Sequence, residues 1–207
     1  MLKSGARTSA RWKRREGRVL ERVKEYLAGI AALIPQLPAE SVHEVAVALR
    51  GIYVADGTIF VCGNGGSAAT ASHFALDLSK GTRRETPGRR VRAIALTDSV
   101  PSLTAWGNDT AYADVFREQL AAWYRKGDCL VAISGSGNSP NVLRAVELVN
   151  SQGGVTCALT GYQGGTLASM ATHSVIVPSD DLERIEDCHM ILCHLYTAYL
   201  RSELARM

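Results

Sequence analysis

Nowhere in this 207-residue sequence do apolar side chains run together for the roughly 20 positions that a membrane-spanning helix needs. Charged or polar residues interrupt every hydrophobic stretch, so no membrane segment is expected. The N-terminal stretch carries Lys3, Arg7, Arg11, Lys13, Arg14, Arg15 and Arg18. It lacks the apolar core of a secretory signal and is not expected to be one. Excess charge is also scarce: the formal net charge is +3, and that one stretch supplies most of it. A nucleic-acid or membrane surface is therefore not expected on the body of the protein. CxxC pairs are missing from the five cysteines, Cys62, Cys129, Cys157, Cys188 and Cys193, all of which lie in apolar surroundings. Reduced, buried thiols in a cytoplasmic protein fit this better than disulfides.

With 46% hydrophobic residues the chain can bury one substantial core. Residues 1–18 are expected to form a basic, flexible tail without assigned function, and residues 19–207 a single domain. Val19, Leu20, Val23, Leu27, Ile30 and Leu33 recur at helical spacing, and Val42, Val45, Leu49 and Ile52 do so after Pro38. Beyond the Asp56-Gly57 turn come short apolar runs at 58–62, 91–96, 130–133, 155–159 and 174–177, which read as buried strands. Helical periodicity fills the intervals at 68–80, 112–124, 141–151 and 166–171, and a last long helix covers 185–204. This alternation predicts an α/β fold: a doubly wound, parallel, five-stranded sheet flanked by helices, with an N-terminal helical pair.

Two strand ends are built for an anion. The first closes in Cys62-Gly63-Asn64-Gly65-Gly66-Ser67 before a helix. There glycines admit a ligand to the backbone and the helix N-terminus favours negative charge. The third closes in Ser134-Gly135-Ser136-Gly137-Asn138-Ser139, with Pro140 at a first helical position. Neither loop has the lysine of a Walker-type phosphate loop, and the glycine spacing fails the dinucleotide fingerprint. A nucleotide is disfavoured, whereas hydroxyls and amides suit a sugar monophosphate.

His73 and Asp77 stand four residues apart and share one helix face. Glu186 and His194 share a side of the last helix, separated along it by about 12 Å. His43, Glu44 and His173 offer no comparable spacing. His73, Asp77, Glu186 and His194 are therefore a set able to bind zinc or to act as acid and base, and spacing does not choose between the two.

These residues carry a resemblance. The run from Cys62 to Ser67, His73-Phe74-Ala75, Gly107-Asn108-Asp109, Ile133 through Ser139, Leu159-Thr160-Gly161, and Arg184-Ile185 with His189 and His194 resemble the sedoheptulose-7-phosphate isomerases of the SIS superfamily, over nearly all of the chain after Leu20. The resemblance implies an SIS fold and a cytoplasmic homotetramer with active sites between subunits. It also implies conversion of sedoheptulose 7-phosphate to D-glycero-D-manno-heptose 7-phosphate for nucleotide-activated heptose synthesis. Ser134, Gly135, Ser136 and Ser139 would hold the phosphate. Asn64, Gly65, Gly66, Ser67, Asn108 and Asp109 would line the sugar, with Asp77 and Glu186 also touching substrate. Asp77 and His194 would be the catalytic pair, and one Zn2+ would be held by His73, Asp77, Glu186 and His194. The chain departs from the family where Asp77 replaces a glutamate, Glu186 a glutamine, and Gly135 a frequent threonine. Two alternatives stay open: an isomerase of another sugar phosphate, and a non-catalytic SIS protein that binds a phosphosugar or the bacterial replication initiator.

Overall fold

The computed structural model describes residues 5–82 and 89–206, so Lys3 of the basic stretch lies outside the described residues. Contacts divide the chain after Gln36. In the first unit a helix, α1, runs over Gly5–Leu33 and ends in a 3₁₀ turn at Ile34–Gln36. The stretch anticipated as a loose tail is thus helical from Gly5 onward. Its sequence explains this, for Ala, Arg, Lys and Glu, all good helix formers, dominate it.

The second unit opens with α2 (Ala39–Val54) and then alternates strand and helix: β1 (Thr58–Gly63), α3 (Gly66–Leu76), β2 (Arg92–Ala95), α4 (Val100–Asp109), α5 (Val115–Trp123), β3 (Cys129–Ser134), α6 (Pro140–Ser151), β4 (Val155–Thr160), α7 (Gly165–Met170), β5 (His173–Ile176) and α8 (Leu182–Leu204). All strand pairs are parallel, in the order β2-β1-β3-β4-β5. The chain therefore reverses direction across the sheet between β1 and β3. Ligands of open α/β sheets bind in the crevice at such a point, beyond the strands' C-terminal ends.

Central strands are buried on both faces, which is why they read as unbroken apolar runs. Phe60, Leu130 and Ala132 pack with Phe116 and Leu120 of α5, Val142, Val146 and Val149 of α6, and Leu167 of α7. The alternate residues Ile59, Val61, Val131 and Ile133 point to the other face, where α8 lies against both α2 and α3. Asp128 secures the lower ends of β1 and β3, accepting from the amides of Thr58 (2.7 Å) and Arg125 (2.8 Å). His173, without a partner in the sequence pattern, meets Glu44 across β5 and α2 at 3.6 Å.

α4 is a helix that sequence periodicity does not reveal. None of its residues is fully buried and only Leu103 packs against the core, so it has little apolar stripe; Ser99 caps it by accepting from the Ser102 amide, and Pro101 stands in its first turn.

His189 ties α8 to the sheet. It is 1% exposed, and its Nε2 lies 3.1 Å from the Thr160 carbonyl. A carbonyl only accepts, so Nε2 carries a proton. Burial lowers its pKa to about 4, against an ordinary 6.5, the Thr160 bond opposing only part of this. Between pH 6.5 and 4 the unfolded chain binds a proton that the folded chain excludes. Stability attributable to this residue is therefore whole above about pH 6.5 and declines as pH falls through the window. Denaturant unfolding at pH 7 and pH 4.5 should show wild type losing about 2.5 kcal/mol more than His189→Gln; equal losses would contradict this.

Candidate active site

The first loop turns from β1 into α3 with Gly65 at φ 55° as the residue before the helix. Gly66 lies close under Glu186: a Cβ there would meet both carboxylate oxygens, which would have to swing aside. Glu186 thus lies against the N-terminus of α3, where the backbone amides and helix dipole favour a negative charge. Ser67, in the same turn, is 5% exposed.

The second loop turns from β3 into α6. The amide of Gly137 donates to Ser134 O (3.0 Å), and Gly137 takes φ 65°. Neighbours fix the loop from both sides: Gly161 N donates to Gly135 O (2.9 Å) and Leu167 N to Gly137 O (2.9 Å). Asn138 Oδ1 accepts from the amide and the hydroxyl of Thr166, both at 3.0 Å. The hydroxyls of Ser134 and Ser139 stand 3.3 Å apart, and Ser139 makes no side-chain cap to α6. Ser136 is exposed beside them. At Gly135 a Cβ would come 2.7 Å from Leu182 Cδ1, the tip of a half-exposed side chain in the first turn of α8.

α3 does not end at Leu76 but widens into a π turn over Asp77–Gly81. Thr82 Oγ1 donates to Leu78 O (2.5 Å) and Arg201 Nε to Gly81 O (2.6 Å), so α8 supports the turn. Asp77 Oδ2 lies 3.4 Å from His73 Nε2 and 3.7 Å from His194 Nε2. The two imidazole nitrogens are 3.3 Å apart, with the rings edge to face. All three groups are partly exposed, so a ligand can reach them. Cys193, buried beside them, keeps its proton because burial, and second the Asp77 charge, raise its pKa.

Of the four residues grouped by sequence, the structure brings three together: His73, Asp77 and His194 form a group able to hold a metal ion. Glu186 is not one of them, since two turns of α8 separate it from His194 and carry it to Gly66. Asn108 and Asp109 are exposed at the end of α4 and bond to each other (2.9 Å). Asn64, in the first loop, bonds to residues that the motifs do not single out, Asn141 (2.8 Å) at the start of α6 and Tyr112 (2.9 Å). For Asn141 the available signal was an amide just inside a helix start; for Tyr112 there was none. A cavity of about 550 Å³ follows the open edge of β2, lined by Ser72, Leu76, Ile94, Asp98 and Trp123 among others. Its lining includes neither the cluster nor either loop.

The SIS domain family matches residues 25–161. The phosphoheptose isomerase of Aliarcobacter butzleri is 40% identical, over 88% of this chain and 97% of its own length. That of Aquifex aeolicus is 36% identical, over 86% and 93%. Among solved structures, the phosphoheptose isomerase of Neisseria gonorrhoeae superposes with a TM-score of 0.82 at 35% identity, covering 89% of this chain and 99% of that one. With that agreement over fold, length and sequence, the chain belongs to the SIS domain family, in its phosphoheptose isomerase branch.

Proposed function

We propose that the protein is a sugar-phosphate isomerase that converts sedoheptulose 7-phosphate to D-glycero-D-manno-heptose 7-phosphate, the precursor of nucleotide-activated heptose. The observation that carries this reading is the meeting of Asp77 and His194, from separate helices, at 3.7 Å in an accessible group. The names and full-length similarity of the relatives support the substrate.

The phosphate is held by the Ser134–Ser139 loop, whose hydroxyls converge at the start of α6. The sugar extends past Asn64 toward the cluster. Asp77 takes a proton from carbon 1 of the ketose, giving a cis-enediol, and returns it to carbon 2. His194 takes the proton from the carbon 1 hydroxyl and delivers one to the oxygen on carbon 2, so the product is an isomer with no net loss of protons. Although one methylene shorter than the family's glutamate, Asp77 touches both imidazoles from the π turn. Asn108, Asp109, Gly65, Gly66, Ser67 and Glu186 complete the sugar's surroundings in this reading.

The donor set also fits zinc. Tetrahedral ligands at about 2.0–2.1 Å from the ion stand about 3.3–3.4 Å apart, and the three donor pairs measure 3.3, 3.4 and 3.7 Å. His73, Asp77 and His194 would hold the ion. When bound, zinc would occupy His194 Nε2 and take over its part by polarising the substrate oxygens, leaving the second carboxylate oxygen of Asp77 to receive the carbon 1 proton. Assembly as a homotetramer is part of this reading, and Ile94, Leu76 and Trp123, exposed along β2, leave apolar surface for a neighbouring subunit. The five cysteines are free and buried, in keeping with a cytoplasmic location.

Asp77→Asn keeps the shape and removes the base, so kcat for sedoheptulose 7-phosphate should fall by about 100-fold or more while KM changes little. Near-normal turnover would overturn the assignment. Zinc at about 100 times its Kd should stabilise wild type by about 2.7 kcal/mol, read as a rise of several degrees in Tm. His73→Ala should abolish the rise; the same rise in both proteins would place the metal elsewhere.

A further inference from the structure

Asn64 ends β1 with its side-chain amide engaged by two residues outside its own loop. Asn141, second in α6 and 1% exposed, meets it in a reciprocal pair: Asn64 Nδ2 donates to Asn141 Oδ1 and Asn141 Nδ2 to Asn64 Oδ1, each at 2.8 Å. The orientation of the pair is determined. The Val142 amide, shared with the Ser139 carbonyl at 3.0 Å, approaches the same Asn141 atom at 3.0 Å, and a backbone N–H only donates, so that atom is the oxygen. The Asn141 nitrogen then faces Asn64, which answers with its own oxygen. Tyr112 Oη donates to that oxygen as well, at 2.9 Å.

Both acceptor sites of the Asn64 oxygen are thereby filled, and one of its N–H groups is given to Asn141. Among the described residues nothing takes the remaining N–H. Tyr112 is itself placed by α6. One turn beyond Asn141, Arg144 Nη1 donates to both carboxylate oxygens of Asp114, at 2.6 and 2.7 Å, and so holds the 3₁₀ turn Tyr112–Asp114. One face of α6 controls Asn64 directly and through Tyr112.

We infer that Asn141 and Tyr112 are positioning residues that fix Asn64 as a hydrogen-bond donor only, so that it reads an oxygen lone pair of the sugar phosphate lying between the two loops. This rests on the isomerase reading. A carboxylate at position 141 has no N–H to give, so in either orientation the Asn64 oxygen faces a carboxylate oxygen, the reciprocal pair is broken and Asn64 is no longer fixed as a donor.

Asn141→Asp should therefore lower kcat/KM for sedoheptulose 7-phosphate by about 10-fold or more, mainly through KM. Tyr112→Phe, which removes one exposed hydroxyl, should lower it by about 3- to 5-fold with Tm unchanged. In an Asn64→Ala background the Asn141→Asp effect should shrink to within about 2-fold. Independent, multiplicative losses in that cycle would overturn the inference while leaving the isomerase reading intact. An inactive wild type would overturn the isomerase reading instead. The pair is then decided by unfolding of Asn64→Ala, Asn141→Ala and the double variant, where coupled losses support it and additive losses overturn it.

Discussion

For His194 to reach His73 and Asp77, helices α3 and α8 must approach until side chains 121 residues apart in sequence touch. Packing just beneath the cluster enforces that approach. Phe74, one residue beyond His73, meets Tyr196, two beyond His194, with ring centroids 6.3 Å apart, and both are fully buried. Leu78 and Cys193 are likewise 0% exposed. Truncating an aromatic in such a place costs about 3–5 kcal/mol, far more than the hydrogen bonds of the half-exposed cluster can contribute. Apolar packing therefore decides where the polar groups stand, and the π turn at Asp77 supplies the last adjustment.

α8 serves several parts of the site along its length. Leu182 and Glu186 close over the loops after β3 and β1, His189 bonds to the end of β4, and His194 completes the cluster. Both loops lie at the C-terminal ends of β1 and β3, where the sheet order reverses. In the proposed reading, the phosphate on one loop and the sugar past Asn64 of the other would use the crevice that this topology creates. The π turn carries Asp77 to both imidazoles, and the α3 N-terminus receives the Glu186 carboxylate.

Much of this was legible in the residues. Buried parallel strands declare themselves as apolar runs, and β1, β3 and β4 fall within a residue or two of expectation. The His73–Asp77 pair follows from helical spacing, and the loops from their glycines and serines. What spacing cannot encode is contact between distant elements. Glu186 and His194 share a helix side, yet about 12 Å of helix axis separates them, and the carboxylate goes to Gly66 instead. α4 escaped because only Leu103 packs against the core and no residue is fully buried, leaving little stripe to detect, and His173 meets Glu44 through the packing of α2 on β5. Asn141 and Tyr112 act through Asn64, so no motif around them marks their part in the site.

The central claim is that Asp77 and His194 move a proton between two carbons of a bound ketose phosphate. Proton NMR of the purified protein with sedoheptulose 7-phosphate in deuterated water tests it most directly. The account predicts loss of the ketose signals and appearance of an aldose carrying deuterium at carbon 2. An unchanged ketose, with no deuterium entering any carbon, would contradict it.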